Sequence, residues 1–192
     1  LEQLVDHLTR AKAMQPYRLD EVAARNLSGK ALLHMERAWI SAFFTTGIWT
    51  GSSTGTDLVG GTDFTQWNDI SATPVANIKT QKRAMALLAG QAPNTLILGQ
   101  KVYDDLTESP DLQDRLGANV NKTVALATLA SFFDVDRVVV SNGVYNTAQE
   151  GVAYSGSFVA GNHAWLGYAA PSPAENQLSA GYTVVWAGWV TG

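Results

Sequence analysis

The sequence predicts an α+β fold, and three observations lead to this prediction. A long amphipathic pattern runs from residue 17 to about residue 46, a mixture of helical and strand patterns covers residues 67–170, and strand patterns fill the end of the chain. Because helices and strands do not alternate regularly, we do not expect a doubly wound parallel sheet. The terminal strands must return to pair with an earlier part of the chain.

The first of these patterns predicts a long helix. Its apolar residues recur at steps of three or four: Leu19, Ala23, Leu27, Ala31, Met35, Ala38 and Ala42, with Val22, Trp39 and Phe43 widening the stripe. At about 1.5 Å per residue, this helix would be about 40 Å long, which is longer than most helices of globular domains. A shorter helix is predicted before it, in residues 1–13.

The rest of the chain predicts short elements. Residues 50–62 are rich in Gly, Ser and Thr and indicate a loop or an irregular strand. Thr73 and Pro74 are a typical N-cap and first turn, and the helix that follows should end at Gly90. Further helices are predicted at residues 101–106 and 125–133, and strands at residues 95–98, 137–141, 157–160, 164–169 and 182–187.

Composition excludes several classes of protein. The net charge is −4 and no basic run is present, which argues against a protein whose main role is to bind nucleic acid. With no cysteine, disulfides, a thiolate nucleophile and Cys-ligated zinc are excluded. No apolar stretch approaches the roughly 20 residues that span a bilayer, so we expect a soluble protein made inside the cell. Only 16% of residues are charged and six are Trp, which favours self-association.

One motif suggests a hydrolase. Residues 51–55 read GSSTG and match G-x-S-x-G, which would make Ser53 a nucleophile, and Asp69 or Asp104 and then His163 follow in the chain order of a catalytic triad. The motif requires a strand before it and a helix directly after it, whereas a glycine-rich passage follows here. A serine hydrolase that uses Ser53 and His163 is therefore an alternative and not our expectation.

Other candidate sites are weaker still. His7, His34 and His163 are far apart in sequence and form no metal pair, and His34 with Glu36 lacks the cysteine ligands of a zinc deaminase. We interpret one group of acidic residues as solvated helix faces around Pro110: Asp104, Asp105, Glu108, Asp111 and Asp114. No nucleotide-binding motif is present. We expect no catalytic, cofactor-binding or metal-binding residue.

The late aromatic residues allow two interpretations. They are Trp165, Tyr168, Tyr182, Trp186 and Trp189. Aromatic rings on one face of a sheet can form a sugar-binding platform. On alternating strand positions they are more simply explained as core and interface residues, and we expect the second role.

From Trp67 onward the chain resembles the major capsid proteins of tailed bacteriophages with the Hong Kong 97-type fold. The resemblance extends over about 120 residues and depends on the order and spacing of short segments. These are TPVANI at 73–78, APNTLILG at 92–99, Val102, Ser109-Pro110, Leu129-Ala130, Phe133-Asp134-Val135, VYNTA at 144–148, and SAGYT at 179–183 before Trp186. In this context Pro93-Asn94 should form a turn, and Asn146-Thr147 should hydrogen-bond its own backbone.

The resemblance implies a specific architecture. Residues 1–66 would hold the spine helix and part of a peripheral domain, residues 67–170 an axial domain of helices around a small mixed sheet, and residues 171–192 a strand that returns to the peripheral domain. Family members also carry an N-terminal arm and an extended loop before the spine helix. We expect this sequence to lack both, and no residue is assigned to the lysine cross-links that some relatives form.

The resemblance also implies a function, a structural subunit that assembles with itself into pentamers and hexamers of an icosahedral phage or prophage capsid. The shell would enclose DNA without sequence-specific binding, with a scaffolding protein, a portal and a maturation protease as further partners. The expected location is the virion, after synthesis in the bacterial host cytoplasm. We expect no enzyme activity, no cofactor and no membrane partner. An encapsulin-like nanocompartment shell is the related alternative.

Overall fold

The computed structural model describes residues 18–45, 47–49, 56–117, 124–172 and 174–182. These residues form five helices and five strands, which confirms a mixed α+β composition. The helices are α1 (Leu19–Phe43), α2 (Pro74–Ala89), α3 (Gln100–Glu108), α4 (Pro110–Leu116) and α5 (Leu126–Phe133). The strands are β1 (Thr95–Gly99), β2 (Arg137–Ser141), β3 (Val144–Asn146), β4 (Gly156–Phe158) and β5 (Ala164–Gly167).

The long helix and the helix after Thr73 are confirmed. α1 extends over 25 residues, or about 38 Å at the usual rise. α2 begins with Pro74 and ends at Gly90, whose φ of 70° is left-handed and whose N–H donates to the Ala86 carbonyl. Thr73 occupies the N-cap position, but its side chain makes no capping hydrogen bond. The predicted helix in residues 1–13 lies outside the described residues.

A three-stranded mixed sheet has the order β2-β1-β5. β1 runs parallel to β2, with Thr95 opposite Arg137, and antiparallel to β5, with Leu98 opposite Ala164. β1 is therefore the central strand, which explains its almost continuous apolar sequence. β3 and β4 form a separate antiparallel ribbon.

The central strand contributes to two apolar cores because successive side chains point to opposite faces of a sheet. Leu96 and Leu98 are fully buried in core 1, with side chains of α2, α3, α4 and α5. Ile97 points the other way and packs against core 2, which is formed by Ile40, Phe44 and Ala160. One strand thus connects the helical layer on one face with the end of α1 on the other.

Asn94 joins the ends of all three strands of this sheet. Its side chain both donates to the Ala169 carbonyl and accepts from the Ala169 N–H, each at 2.9 Å. Its backbone carbonyl accepts from the N–H groups of Asp136 and Arg137, at 2.9 and 3.1 Å. Asn94 therefore fixes the position of β1 relative to β2 and to the end of β5, although residues 92–94 form no turn of the kind predicted at Pro93-Asn94.

The C-terminal end of α5 is capped by a lysine from α2. Lys82 Nζ donates to the carbonyl oxygens of Phe133 and Asp134 and to the Asp134 carboxylate, the last at 2.8 Å. The Lys82 hydrogen bond and charge hold the pKa of Asp134 below its ordinary value. Asp134 has a left-handed backbone, φ 52°, which a short polar side chain tolerates.

Some elements differ from the prediction. α4 and β3 were not predicted as separate elements, and the strands predicted at 157–160 and 164–169 are shorter, since they end at Phe158 and Gly167. The Asn146 prediction is confirmed, because its side-chain oxygen accepts from the N–H groups of Ala148 and Ser155, both at 3.0 Å. Most of the strand predicted at 182–187 lies outside the described residues.

Candidate functional site

α1 carries a line of apolar side chains that nothing in the described structure covers completely. Leu32, Met35, Trp39 and Phe43 recur at i, i+3, i+7 and i+11, so they share one face of the helix, and we refer to them as the α1 stripe. Their exposed fractions are 67%, 58%, 38% and 37% in that order. A continuous apolar face of this kind is typical of a surface that binds another protein.

The attachment of α1 to the rest of the fold is concentrated near its C-terminal end. Ile40 is the one buried residue of the helix in the described structure. A helix of this length gains most of its stability from packing of an apolar face and not from intrinsic propensity. Contacts at the C-terminal end must therefore hold α1 in place, and two sets of them are present.

The first set is a group of five rings, which we call the aromatic cluster: Trp39, Phe43, Phe44, Trp49 and Trp165. The Trp165 ring of β5 lies 6.1 Å from Trp39 and 6.0 Å from Trp49, measured between ring centroids. The Trp49 Nε1–H also donates to the Phe43 carbonyl at 2.7 Å, so a polar group of the cluster is satisfied. Such ring pairs contribute about 0.5–1.5 kcal/mol each beyond the area they bury.

The second set connects α1 to the end of β2, to the link after it and to β3. The Ser141 hydroxyl donates to Glu36 Oε1 at 2.6 Å. The Arg37 guanidinium lies 4.4 Å from the centroid of the Tyr145 ring. Gly143 packs so closely that a Cβ there would lie 2.8 Å from Glu36 Oε2, so a larger side chain would require the Glu36 carboxylate to move. We call Glu36, Ser141 and Gly143 the Glu36 contact.

Among the described residues, His163 makes no hydrogen bond with either candidate acid of the hydrolase, Asp69 or Asp104. Ser53 lies outside the described residues. The helix that a nucleophile elbow requires does not follow directly, because the described residues 56–73 contain no helix. His163 is exposed, and its hydrogen bonds within the described residues use its backbone, with the carbonyl accepting from the Gly99 N–H at 2.9 Å.

The two candidate acids of that triad have local partners. Asp69 accepts hydrogen bonds from the Ser71 hydroxyl and N–H, at 2.6 and 2.8 Å, and these bonds hold the pKa of Asp69 below its ordinary value. Asp104 accepts from Gln100 Nε2 at 2.8 Å, one turn earlier on α3. Both carboxylates therefore stabilise local backbone or helix structure.

The metal-site candidates are likewise separated. His7 lies outside the described residues, His34 is exposed on α1, and Glu36 contacts Ser141. Asp111 pairs with Arg115 at 2.9 Å and also accepts from the Val75 N–H at 3.3 Å. Within the part of the chain that the structure describes, no group of three or more His, Asp or Glu side chains is placed to hold a metal ion.

The late aromatic residues do not share one environment in the described structure. Trp165 is half-buried between Trp39 and Trp49, which is the packing role that the strand pattern predicts. Tyr168 is half-buried and Tyr182 exposed, while Trp186 and Trp189 lie outside the described residues.

The sequence identified these residues individually, but it did not predict the pairing of Trp165 with α1 or the Glu36 contact. Neither leaves a local signal, because each joins residues more than 100 positions apart.

Comparison with known proteins identifies two phage proteins. A stretch of 72 residues, 38% of this chain, is 28% identical to the major capsid protein of Burkholderia phage BcepMu and covers 24% of that protein. The fold resembles the crystal structure of a phage-related protein from Bordetella bronchiseptica RB50, with a TM-score of 0.61 and 23% identity over 81% of this chain. No protein-family model matches the sequence.

These similarities have defined limits. The chain spans about a quarter of the length of the capsid protein and 48% of the structural relative. At 23% identity, the structural match demonstrates a shared fold. None of the helices in the described residues is long and apolar enough to cross a membrane.

Proposed function

We propose that this chain is a structural subunit of a bacteriophage or prophage capsid and that its role is not catalytic. The similarity in sequence to the BcepMu major capsid protein carries the proposal, and the fold shared with a phage-related protein supports it. Assembly into pentamers and hexamers, enclosure of DNA and location in the virion are parts of the proposal. A scaffolding protein, a portal and a maturation protease are proposed as further partners.

The proposed fold is of the Hong Kong 97 type, divided as residues 1–66, 67–170 and 171–192. A single long helix packed by one end against a helix-covered mixed sheet supports this division. The path of the chain near residue 180 supports the last boundary. Ala180 N–H donates to the Tyr168 carbonyl at 2.8 Å, and Ala170 N–H donates to the Ser179 hydroxyl at 3.2 Å. Residues 179–180 thus run back beside the end of β5, which carries Trp165 of the aromatic cluster.

The α1 stripe is the surface that we assign to contact between subunits. Complete burial of a large apolar side chain contributes about 1.5–3 kcal/mol. Because the four stripe residues are already one third to two thirds buried, we expect about 1 kcal/mol from each, or roughly 4 kcal/mol for one contact. Many weak contacts of this size, repeated over a shell, can stabilise an assembly in which each pair of subunits associates weakly.

Electron microscopy of the full-length gene product, expressed alone, tests the proposal. Closed icosahedral particles in which nucleic acid can be packaged are expected for a capsid. Closed particles that instead contain a cargo protein and no genome would favour the encapsulin-like alternative. A protein that remains monomeric at every concentration and salt condition would contradict a shell subunit.

Two substitutions in the α1 stripe test its role. Leu32→Asp and Met35→Asp place a charge in the stripe at the positions farthest from the aromatic cluster, so the monomer should fold while particle formation falls strongly. His34→Asp is the matched control, because His34 is exposed on the opposite face of the same helix. Equal loss of particles in all three variants, measured by sedimentation velocity, would show that the stripe is not a specific contact.

The hydrolase alternative has a direct test. Ester cleavage is measured for the full-length protein and for Ser53→Ala. A clear activity that disappears in Ser53→Ala would favour a hydrolase and contradict the non-catalytic role, whereas equal background rates in both proteins agree with the structural proposal.

A further inference from the structure

The link between β2 and β3 contains the only Asn-Gly pair of the sequence, Asn142-Gly143. Asn142 is exposed, and none of the hydrogen bonds of the described residues involves its side chain. Gly143 has no side chain to shield its amide nitrogen or restrict its backbone. Its carbonyl accepts from the Val159 N–H at 2.8 Å, which restrains the far side of the residue.

We propose that Asn142 is a site of spontaneous deamidation, and that its conversion loosens the attachment of α1. In the first step the Gly143 amide nitrogen loses its proton and attacks Cγ of Asn142. A new C–N bond closes a five-membered succinimide, the bond from Cγ to Nδ2 breaks, and ammonia leaves with the proton. Water then opens either side of the ring and leaves an aspartyl or an isoaspartyl residue at position 142.

The consequence follows from what lies on each side of Asn142. Ser141 donates to Glu36 Oε1 at 2.6 Å, and Gly143 packs against Glu36 and Leu33. An isoaspartyl residue inserts one extra backbone atom between Ser141 and Gly143. The two residues can then no longer keep both of their contacts with α1. Either product also adds a negative charge between the two residues that contact Glu36, but position 142 is exposed, so solvent and salt screen its repulsion with the Glu36 carboxylate.

The Glu36 contact should therefore weaken in the converted protein. Loss of one hydrogen bond to a charged group corresponds to at least about a tenfold loss of protection. We expect amide hydrogen exchange in the segment of α1 that contains Leu33 and Glu36 to accelerate by that factor. Exchange in β1 and α5, which belong to core 1, should be unchanged.

Peptide mapping by mass spectrometry tests the conversion in the intact folded protein after incubation in mildly alkaline buffer. The peptide that contains Asn142 should gain the mass difference between NH2 and OH, and fragmentation should locate it there. Asn146 is the internal reference, because Thr147 follows it and its side-chain oxygen accepts two backbone hydrogen bonds. Conversion of Asn142 no faster than of Asn146 would overturn the proposal. So would conversion in denaturant but not in the folded protein.

Two variants separate the causes of the effect on α1. Asn142→Gln removes the conversion, because its longer side chain closes the ring far less readily, so the aged variant should keep its α1 protection. Asn142→Asp carries the charge without the extra backbone atom and should show a smaller acceleration than the aged wild type. If the aged wild type and the aged Asn142→Gln variant exchange equally slowly in α1, the proposed link between conversion and helix attachment is wrong.

Discussion

Replacement of Trp165 by alanine should release the C-terminal half of α1 while core 1 stays folded. Trp165 makes two ring contacts, one with Trp39 of α1 and one with Trp49 in the segment that follows α1, worth about 1–3 kcal/mol together. Its half-buried ring adds about 1 kcal/mol of apolar burial. The expected loss is about 3 kcal/mol in the stability of the α1 attachment, which corresponds to a change of roughly 100-fold in its opening equilibrium.

Amide hydrogen exchange followed by mass spectrometry resolves this effect, because it reports opening segment by segment. Peptides from α1 and from the segment that includes Trp49 should exchange about 100-fold faster in Trp165→Ala. Peptides from β1, β2 and α5 should change little, since Leu96, Leu98 and Phe133 are buried in core 1 on the opposite side.

Trp67→Ala provides the matched comparison. Trp67 is also a half-buried tryptophan with a ring neighbour, Phe64 at 5.8 Å, but it packs against core 1. The Trp67→Ala substitution should therefore accelerate amide hydrogen exchange in the elements of core 1 and affect exchange in α1 less. The reasoning is refuted if Trp165→Ala and Trp67→Ala give the same exchange pattern, because the two cores would then open as one unit.

Two other substitutions test contacts of the sheet domain. Lys82→Met should cost about 1–2 kcal/mol in urea unfolding at neutral pH, because it removes hydrogen bonds to the last carbonyls of α5. The folded pKa of Asp134 is lowered by Lys82, so the stability that this ion pair contributes is complete above the ordinary value of 3.8 and is lost as the pH falls through the lowered pKa. The Lys82→Met variant lacks the pair and should therefore lose less stability in acid than the wild type. Gly99→Ala should cost about 1–3 kcal/mol, because the new methyl group would overlap the Gly161 carbonyl oxygen. Gly29→Ala, on open helix surface, should instead stabilise by about 0.5–1 kcal/mol, and equal effects of these two alanines would contradict the packing argument.

The parts of the fold that the sequence predicted well are those with local signals. α1 and α2 follow from apolar periodicity, and the ends of α2 from Pro74 and Gly90. β1 and β2 follow from short apolar, β-branched runs. α4 was missed because the seven residues after Ser109 are dominated by polar side chains around one buried residue, Leu112, so periodicity is hardly visible. The short strand β3 depends on pairing with β4, which no local pattern reveals, whereas β4 was predicted as a slightly longer strand at residues 157–160.

The candidate site was less predictable for a physical reason. Periodicity locates the apolar face of α1, but it does not tell which part of that face the protein itself covers. That division depends on Trp165 and Ser141, which reach α1 from positions more than 100 residues later in the chain. The sequence pattern thus predicted the apolar face of α1, and the fold determined which part of that face stays exposed as the α1 stripe.

The division of α1 into an anchored end and an exposed face has a consequence for assembly. Trp39 and Phe43 belong both to the α1 stripe and to the aromatic cluster, so the contacts that hold the helix also orient the face that we assign to neighbouring subunits. Trp165 contributes about 3 kcal/mol to the attachment of α1, beside core 2 and the Glu36 contact, and a stripe contact worth roughly 4 kcal/mol is of comparable size. Binding at the stripe and the attachment of α1 are then coupled. Changes at Trp165 should for this reason weaken assembly even though Trp165 is not itself part of the stripe.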